Sequence, residues 1–516
     1  MNIKIRNIIF SLIVFSLIFN NIPKPIQFNF FGGPVGSKLV VYPLIAAFAY
    51  TFYCQYKYKN VFADVKPFLK YVFTFIAVML ISTVVGLYNY PYYDLVLNGP
   101  VDQIEKLPKV LAFCHAHGIN VDSKLLMQAW IIARQLKSVL MEAFWCFGGA
   151  YVMYLLGKSD KKQTLDIIGK AILCSEGIII AYSIIELGWL AQSDAAGKIL
   201  STINPYIHAI KEDGKWWPPL LWNGQLRSIF AEPSYYGIYM AFALPWFWYE
   251  IYNKKSKLYL TVTFILTFFL FLTKARTAFM LHLGEIVIFT LCIFLFAREK
   301  DIFKHWGKIV AISCIAFIGS NIFISQCMEK KQEQAVSIET SMAQYVESNA
   351  ASLANPDKRS NRARYSVMEA DFKIGLDHPL LGVGKGLRSS YMPDYFSQKA
   401  LQNGEVKMWM HFREKLGIMR SGFPTLGEYT SRFAESGILG LGIFLIPIFV
   451  LMRKLYKKLK TSTDKMPYII FTVSFCGILA SGIGDTLNIT YCYWFLLGLG
   501  YAMCFDEQEK DSHESA

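Results

Sequence analysis

Long apolar runs separated by short polar ones dominate the chain, and the runs set its architecture. A hydrocarbon core about 30 Å thick requires ~20 apolar residues per helix. By that ruler the pattern predicts about twelve membrane helices, starting near residues 8, 38, 68, 136, 166, 234, 259, 277, 308, 437, 467 and 487. The rhythm breaks once, between 327 and 436, where about a hundred residues contain no segment able to cross a bilayer. The pattern therefore predicts an all-α polytopic membrane protein with a large, mainly helical extracytoplasmic loop before the last three spans. Residues 1–326 carry the first nine spans with outer loops at 89–135 and 193–233, residues 437–505 carry the last three, and 506–516 form a cytoplasmic tail.

Composition agrees with this reading. Of 516 residues, 54% are hydrophobic and 17% charged, with a mean hydropathy of +0.33, which excludes the ordinary soluble class. The net charge of +14 points to membrane orientation and away from nucleic acid, because Lys and Arg gather in short loops. These are the loops of Lys57, Lys59 and Lys66; of Lys158, Lys161 and Lys162; of Lys254, Lys255 and Lys257; of Arg298, Lys300 and Lys304; and of Arg453, Lys454, Lys457, Lys458 and Lys460. All fall on one side if both termini are cytoplasmic, as the positive-inside preference expects. Most of the ten cysteines lie in apolar runs and read as small buried hydrophobes, without a disulfide framework. The first span follows Lys4 and Arg6, and Asn20-Asn21-Ile22-Pro23 offers no small-residue cleavage site, so it reads as a retained helix.

Candidate chemistry lies at the outer ends of the spans. Arg227 and Glu232, the latter followed by Pro233 at a helix start, are expected at the mouth of the bundle. Nearby Trp216 and Trp217 are candidate glycan contacts. The short turn Thr273-Lys274-Ala275-Arg276 places two cations on the side that orientation disfavours, which suggests an anion there; guanidinium forks grip phosphate oxygens bidentately. In the late loop, residues 363–377 have helical spacing and carry Arg364 and Tyr365, with Arg388 beyond. Gly382-Val383-Gly384-Lys385-Gly386 reads as a flexible turn whose amides can approach an anion, although it lacks the remainder of a nucleotide-binding P-loop. His378 precedes a proline at a helix end and reads as a cap or, alternatively, a base or sugar contact. Tyr88, Tyr90, Tyr92 and Tyr93 suit an interfacial belt or sugar stacking. Glu142, Glu176 and Glu186 lie in or near helices, where ionisable groups face the bundle interior; Glu176 is the deepest, and Glu186 is expected to reach water. His115-Ala116-His117 beside Cys114 lacks further ligands, and no metal site is assigned.

In their order, several of these pieces resemble the O-antigen polymerase (Wzy) and O-antigen ligase superfamily of bacterial surface-polysaccharide assembly. The pieces are Arg227 through Ser234, Lys274-Ala275-Arg276-Thr277, Arg364 ahead of Pro379-Leu380-Leu381-Gly382-Val383-Gly384-Lys385-Gly386, and Phe433-Ala434-Glu435-Ser436-Gly437 entering the tenth span. The resemblance implies glycosyl transfer without metal or cofactor at the outer face of the bacterial inner membrane, on undecaprenyl-diphosphate-linked glycans. Partners it implies are membrane lipids, a chain-length regulator and a flippase. Ligases of the superfamily carry His-Asn where this chain has Leu426 and Gly427, so polymerase is the expected activity, with ligase and lipid-linked oligosaccharide flippase as alternatives. On that reading Arg276 and Arg364 clamp the diphosphate, helped by Arg227 and Arg388. Glu232 or Glu435 takes the acceptor proton in a direct, inverting displacement, the alternative role of Glu435 being to order the loop.

Overall fold

The computed structural model describes residues 2–99, 107–158, 160–210, 218–297, 300–328 and 359–504, and every regular element among them is a helix. Trp216, Trp217 and the tail 506–516 lie outside the described residues. A helix stands at each position where the hydropathy pattern predicts a span. Seven are long and apolar enough to cross a membrane, while Lys257–Leu272 and Cys492–Cys504 are apolar but shorter. The chain is a polytopic membrane protein.

At the centre stands Pro233–Lys254, whose large rings Tyr236, Tyr239, Trp246 and Trp248 are all buried. A helix that is apolar all round has to be surrounded by others. It packs against Arg276–Phe296 and Met466–Gly484, and Gly237 lets the first approach closely, since a Cβ there would meet Ala278 Cα at 2.4 Å. The two chain segments leading into these helices therefore reach the same face of the bundle.

Two spans extend further than hydropathy indicates. The fourth was expected from 136, but the helix begins at Ser123 and runs to Gly157 through a π-helical turn at Ala143–Gly148. The tenth was expected from 437, but Glu428–Thr461 is one element broken at Gly437. Hydropathy misses both extensions because their turns carry charges, Lys124, Arg134 and Lys137 in one and Glu428, Arg432 and Glu435 in the other.

These extensions, with the C-terminal end of Val65–Tyr88, support a second core beneath the late loop. Ala363, Val367, Ala370 and Ile374 are all fully buried on one stripe of Arg359–Asp377, at the i, i+4, i+7, i+11 spacing of a single helical face. The stripe packs against the first half of Glu428–Thr461, and Leu376 and Leu380 face outward. Tyr90 and Tyr93 are buried in this core, Tyr90 Oη lies 2.6 Å from Ser390 Oγ, and Tyr92 donates to Asp394. Of the tyrosines expected to form a belt or a sugar platform, only Tyr88 is largely exposed, because the others are the cement between the loop and the bundle.

Candidate functional site

The Pro379–Gly386 run does not behave as an anion-binding turn. It is a wedge driven into the broken helix. Gly437 adopts φ +62°, ψ −165°, a region essentially closed to other residues, and the helical hydrogen-bond ladder is interrupted there. The run supplies the missing partners: Val383 N donates to Ala434 O and Gly384 N to Glu435 O (both 2.9 Å), while Ile438 N donates to Pro379 O (2.8 Å). Ser82 Oγ, from a third helix, lies 2.6 Å from Leu381 O and 2.8 Å from Glu435 O. Broken backbone at membrane depth is tolerated where such groups are re-satisfied by protein. The one anion that the run's amides meet is the protein's own, since Gly386 N donates to Glu435 Oε1 at 3.0 Å.

Behind the wedge lies a cavity of about 170 Å³ lined by Glu142, Lys385, Arg388, Glu428, Arg432 and Glu435, with Thr486 and Asn488. Its charges are interlocked. Arg432 Nη2 donates to Glu142 Oε1 at 2.6 Å, its Nε donates to Glu428 Oε1, and its guanidinium sits 3.9 Å from the centre of the Phe444 ring. Lys385 Nζ donates to Glu142 Oε2 at 2.8 Å, and Leu487 N to Glu428 Oε2 at 3.0 Å. Burial pulls the Lys385 ammonium down, but Glu142 and Glu435 outweigh it and hold its pKa above the usual value. Arg388, itself buried, grips Asp371 through Nη1 at 2.8 and 3.0 Å and Thr425 Oγ1 through Nη2 at 2.7 Å. Its Nε is 3.9 Å from Glu435. Burial pushes the Asp371 carboxyl up to about 6 against the pull of Arg388. Arg388 is thus committed to the loop's interior and faces the cavity only along one edge.

On the other side of residues 485–487 lies the rim. Arg364 Nη1 donates to Gly484 O at 2.7 Å and stands 3.9 Å from Asp485 Oδ2, a cation on the last carbonyl of a helix, where the dipole favours it. Asp485 is buried, receives Thr486 N at 2.9 Å and accepts Glu428 N on its carbonyl at 3.1 Å. Burial pushes its carboxyl up to about 7, opposed by Arg364 and the Thr486 amide and reinforced by the charges of Glu232 and Glu428. Glu232 stands before Pro233 and accepts from Ser234 Oγ at 3.1 Å.

Of the residues singled out in the sequence, Glu232 and Arg364 meet around Asp485, while Arg388 and Glu435 meet at the cavity. Arg276 opens its helix, half-buried, on the same face as Glu232. The turn reverses sharply because Lys274 takes φ +49°. Arg227 departs from its expected place at the mouth. It is 1% exposed, its guanidinium donating to Leu220 O (3.0 Å) and Ala231 O (3.3 Å). Glu186, expected to reach water, is buried and receives Arg227 N and Ser228 N at 3.2 and 2.6 Å, fixing a turn in which Ser228 has φ +57°. Burial of this pair makes Arg227 a strut. His378 is half-buried against the Tyr391 ring, Tyr365 is 40% exposed, and neither lines the cavity. Glu176 is buried away from it.

Sequence reasoning missed Asp485 and the central place of Glu142 and Arg432. The available signals were an aspartate at the boundary between two apolar spans and a glutamate inside one.

Residues 261–411 match the family model described as O-antigen ligase. The match takes in Arg276, Arg364, Lys385 and Arg388 and ends before Glu428; it places this segment with the O-antigen polymerase and ligase superfamily. No curated protein matches the chain.

Proposed function

We propose that the protein is a polysaccharide polymerase. It transfers a glycan from undecaprenyl diphosphate to an acceptor lipid-linked repeat unit at the outer face of a bacterial inner membrane, without a metal. The coarse part, a glycan transferase of the O-antigen polymerase and ligase kind in a multi-pass membrane protein, rests on the match over 261–411 and the apolar helices. The observation that carries the finer reading is the rim. There a partly exposed guanidinium, Arg364, stands beside Asp485, which with Glu232 and Glu428 marks the ends of three helices, next to a charged cavity.

Departure of a diphosphate needs charge stabilisation aimed at the leaving oxygens. Arg364 supplies it, with Arg276 from the neighbouring helix start. The cavity, with its fixed carboxylates and donors, is suited to the hydroxyls of the acceptor's terminal sugar, since interlocked charges need no reorganisation when a neutral polyol enters. Leu426 and Gly427, in place of His-Asn, favour polymerase over ligase.

Complementation of a deletion strain tests this. Arg276→Ala and Arg364→Ala should each abolish the glycan ladder on a gel while single repeats persist, with turnover down by about a hundredfold or more. Loss of every glycan form would favour ligase or flippase, and an unaltered ladder would overturn the proposal.

A further inference from the structure

We infer that Asp485 is the group that takes the proton from the acceptor hydroxyl, on the premise that the protein is the transferase proposed above. No motif of the sequence assigns this role.

The inference starts from which carboxylates on this face still have an oxygen to offer. Glu142 has both oxygens engaged, by Arg432 and by Lys385. Glu428 has both engaged, by Arg432 Nε and Leu487 N. Asp371 is held bidentately by Arg388, and Glu435 receives the Gly386 amide. Asp485 differs. Its Oδ1 is fixed by Thr486 N at 2.9 Å, while its Oδ2 has a cation at 3.9 Å, outside hydrogen-bond range. One oxygen anchors the group and the other is available to an incoming hydroxyl.

Position supports the assignment. Thr486, the next residue, lines the cavity proposed for the acceptor sugar, and Arg364, proposed for the diphosphate, stands 3.9 Å from Asp485 Oδ2. A base must lie within hydrogen-bond reach of the proton it removes, and Asp485 adjoins both the cavity, through Thr486, and the proposed diphosphate clamp, through Arg364. The groups facing it are Arg364 from Arg359–Asp377, Glu232 and Tyr235 at the start of Pro233–Lys254, and Glu428 at the start of Glu428–Thr461. Burial, with Glu232 and Glu428 set against Arg364 and the Thr486 amide, brings its carboxyl to about 7, where a general base works best at neutral pH.

The step balances. The acceptor O–H proton passes to Asp485 Oδ2 as the acceptor oxygen bonds to the anomeric carbon, the carbon–oxygen bond to the diphosphate breaks, and its electron pair leaves with undecaprenyl diphosphate. Asp485 becomes neutral as negative charge grows on the leaving group, which removes a repulsion at the moment it would be largest. The proton is then lost to water.

The test uses the purified full-length protein with lipid-linked repeat extracted from the deletion strain. Asp485→Asn keeps the acceptor for Thr486 N and should lower turnover by about a hundredfold or more, with the Michaelis constant for the lipid donor changed only a few-fold. In the wild type kcat/KM should fall tenfold per pH unit below about 7, because only the ionised carboxylate is active. Asp485→Glu should restore measurable turnover with that acid limb displaced. Turnover within tenfold of wild type in Asp485→Asn, or an acid limb unmoved in Asp485→Glu, overturns the inference. Should Asp485→Asn fail to fold, the Asp485→Glu profile decides. Arg364→Ala in the same assay separates the two layers: if it is inactive while Asp485→Asn is active, only the proton assignment falls, and if it works at the wild-type rate, the transferase reading falls as well.

Discussion

Gly437→Ala is expected to cost the protein its folded state or all of its activity, whereas Gly442→Ala, five residues further along the same helix, should be silent. At Gly437 a Cβ would lie 2.3 Å from both the carbonyl carbon and oxygen of Leu380. Neither side can retreat, because Ile438 N and Leu439 N are hydrogen-bonded to Pro379 O and Leu380 O. The backbone conformation alone costs about 1–3 kcal/mol for a non-glycine residue, and overlap with backbone atoms adds to it. At Gly442 a Cβ meets nothing within 4 Å, and alanine should even favour the helix slightly. Size-exclusion chromatography of the two variants in detergent, followed by a thermal melt, gives the comparison. Equal behaviour would mean that the wedge is not what holds the helix open.

Arg432→Ala should be the most destabilising change among the charged residues. It leaves Glu142 and Glu428, each with a side chain about 5% exposed, facing one another without their shared cation. Breaking a buried ion pair by removing one partner costs roughly 3–5 kcal/mol, because the surviving charge stays desolvated. The same principle predicts partial relief when the orphan is neutralised too. Because Glu142 keeps Lys385, the orphan is Glu428, and Arg432→Ala with Glu428→Gln should therefore be less damaging than the sum of the single changes, by about 0.5–3 kcal/mol. Arg432→Lys should fall between, since an ammonium cannot reach two carboxylates with a planar fork. Melting temperatures of the four proteins measure the coupling. Strict additivity would show that the three groups do not act as a unit.

These two variants probe opposite requirements of one arrangement. The wedge holds the helix break open, and Arg432 keeps the exposed interior of that break electrically balanced. If both hold, the cavity and the rim are preorganised, which is what the proposed stabilisation of a leaving diphosphate would require.

The amino-acid order by itself settled the membrane class, the positions of the apolar helices and the late helical loop, because these depend on hydropathy and on helical spacing, which are local. It also singled out Arg364 and Glu232 as candidates, the latter because a charge at the end of an apolar run is conspicuous wherever the chain goes next. What surrounds them was settled only by packing. Glu142 and Arg432 are 290 residues apart, and no periodicity relates them. Arg227, with the same charge and much the same setting as Arg276, proved to be a buried strut because Glu186 and the carbonyls of Leu220 and Ala231 close around its turn. Asp485 gained its character from Arg364, Glu232 and Glu428, which come from three different parts of the chain. Hydropathy is summed along the sequence, whereas the proton affinity of a carboxylate is decided by whatever distant charges and apolar walls the fold brings within a few ångströms of it.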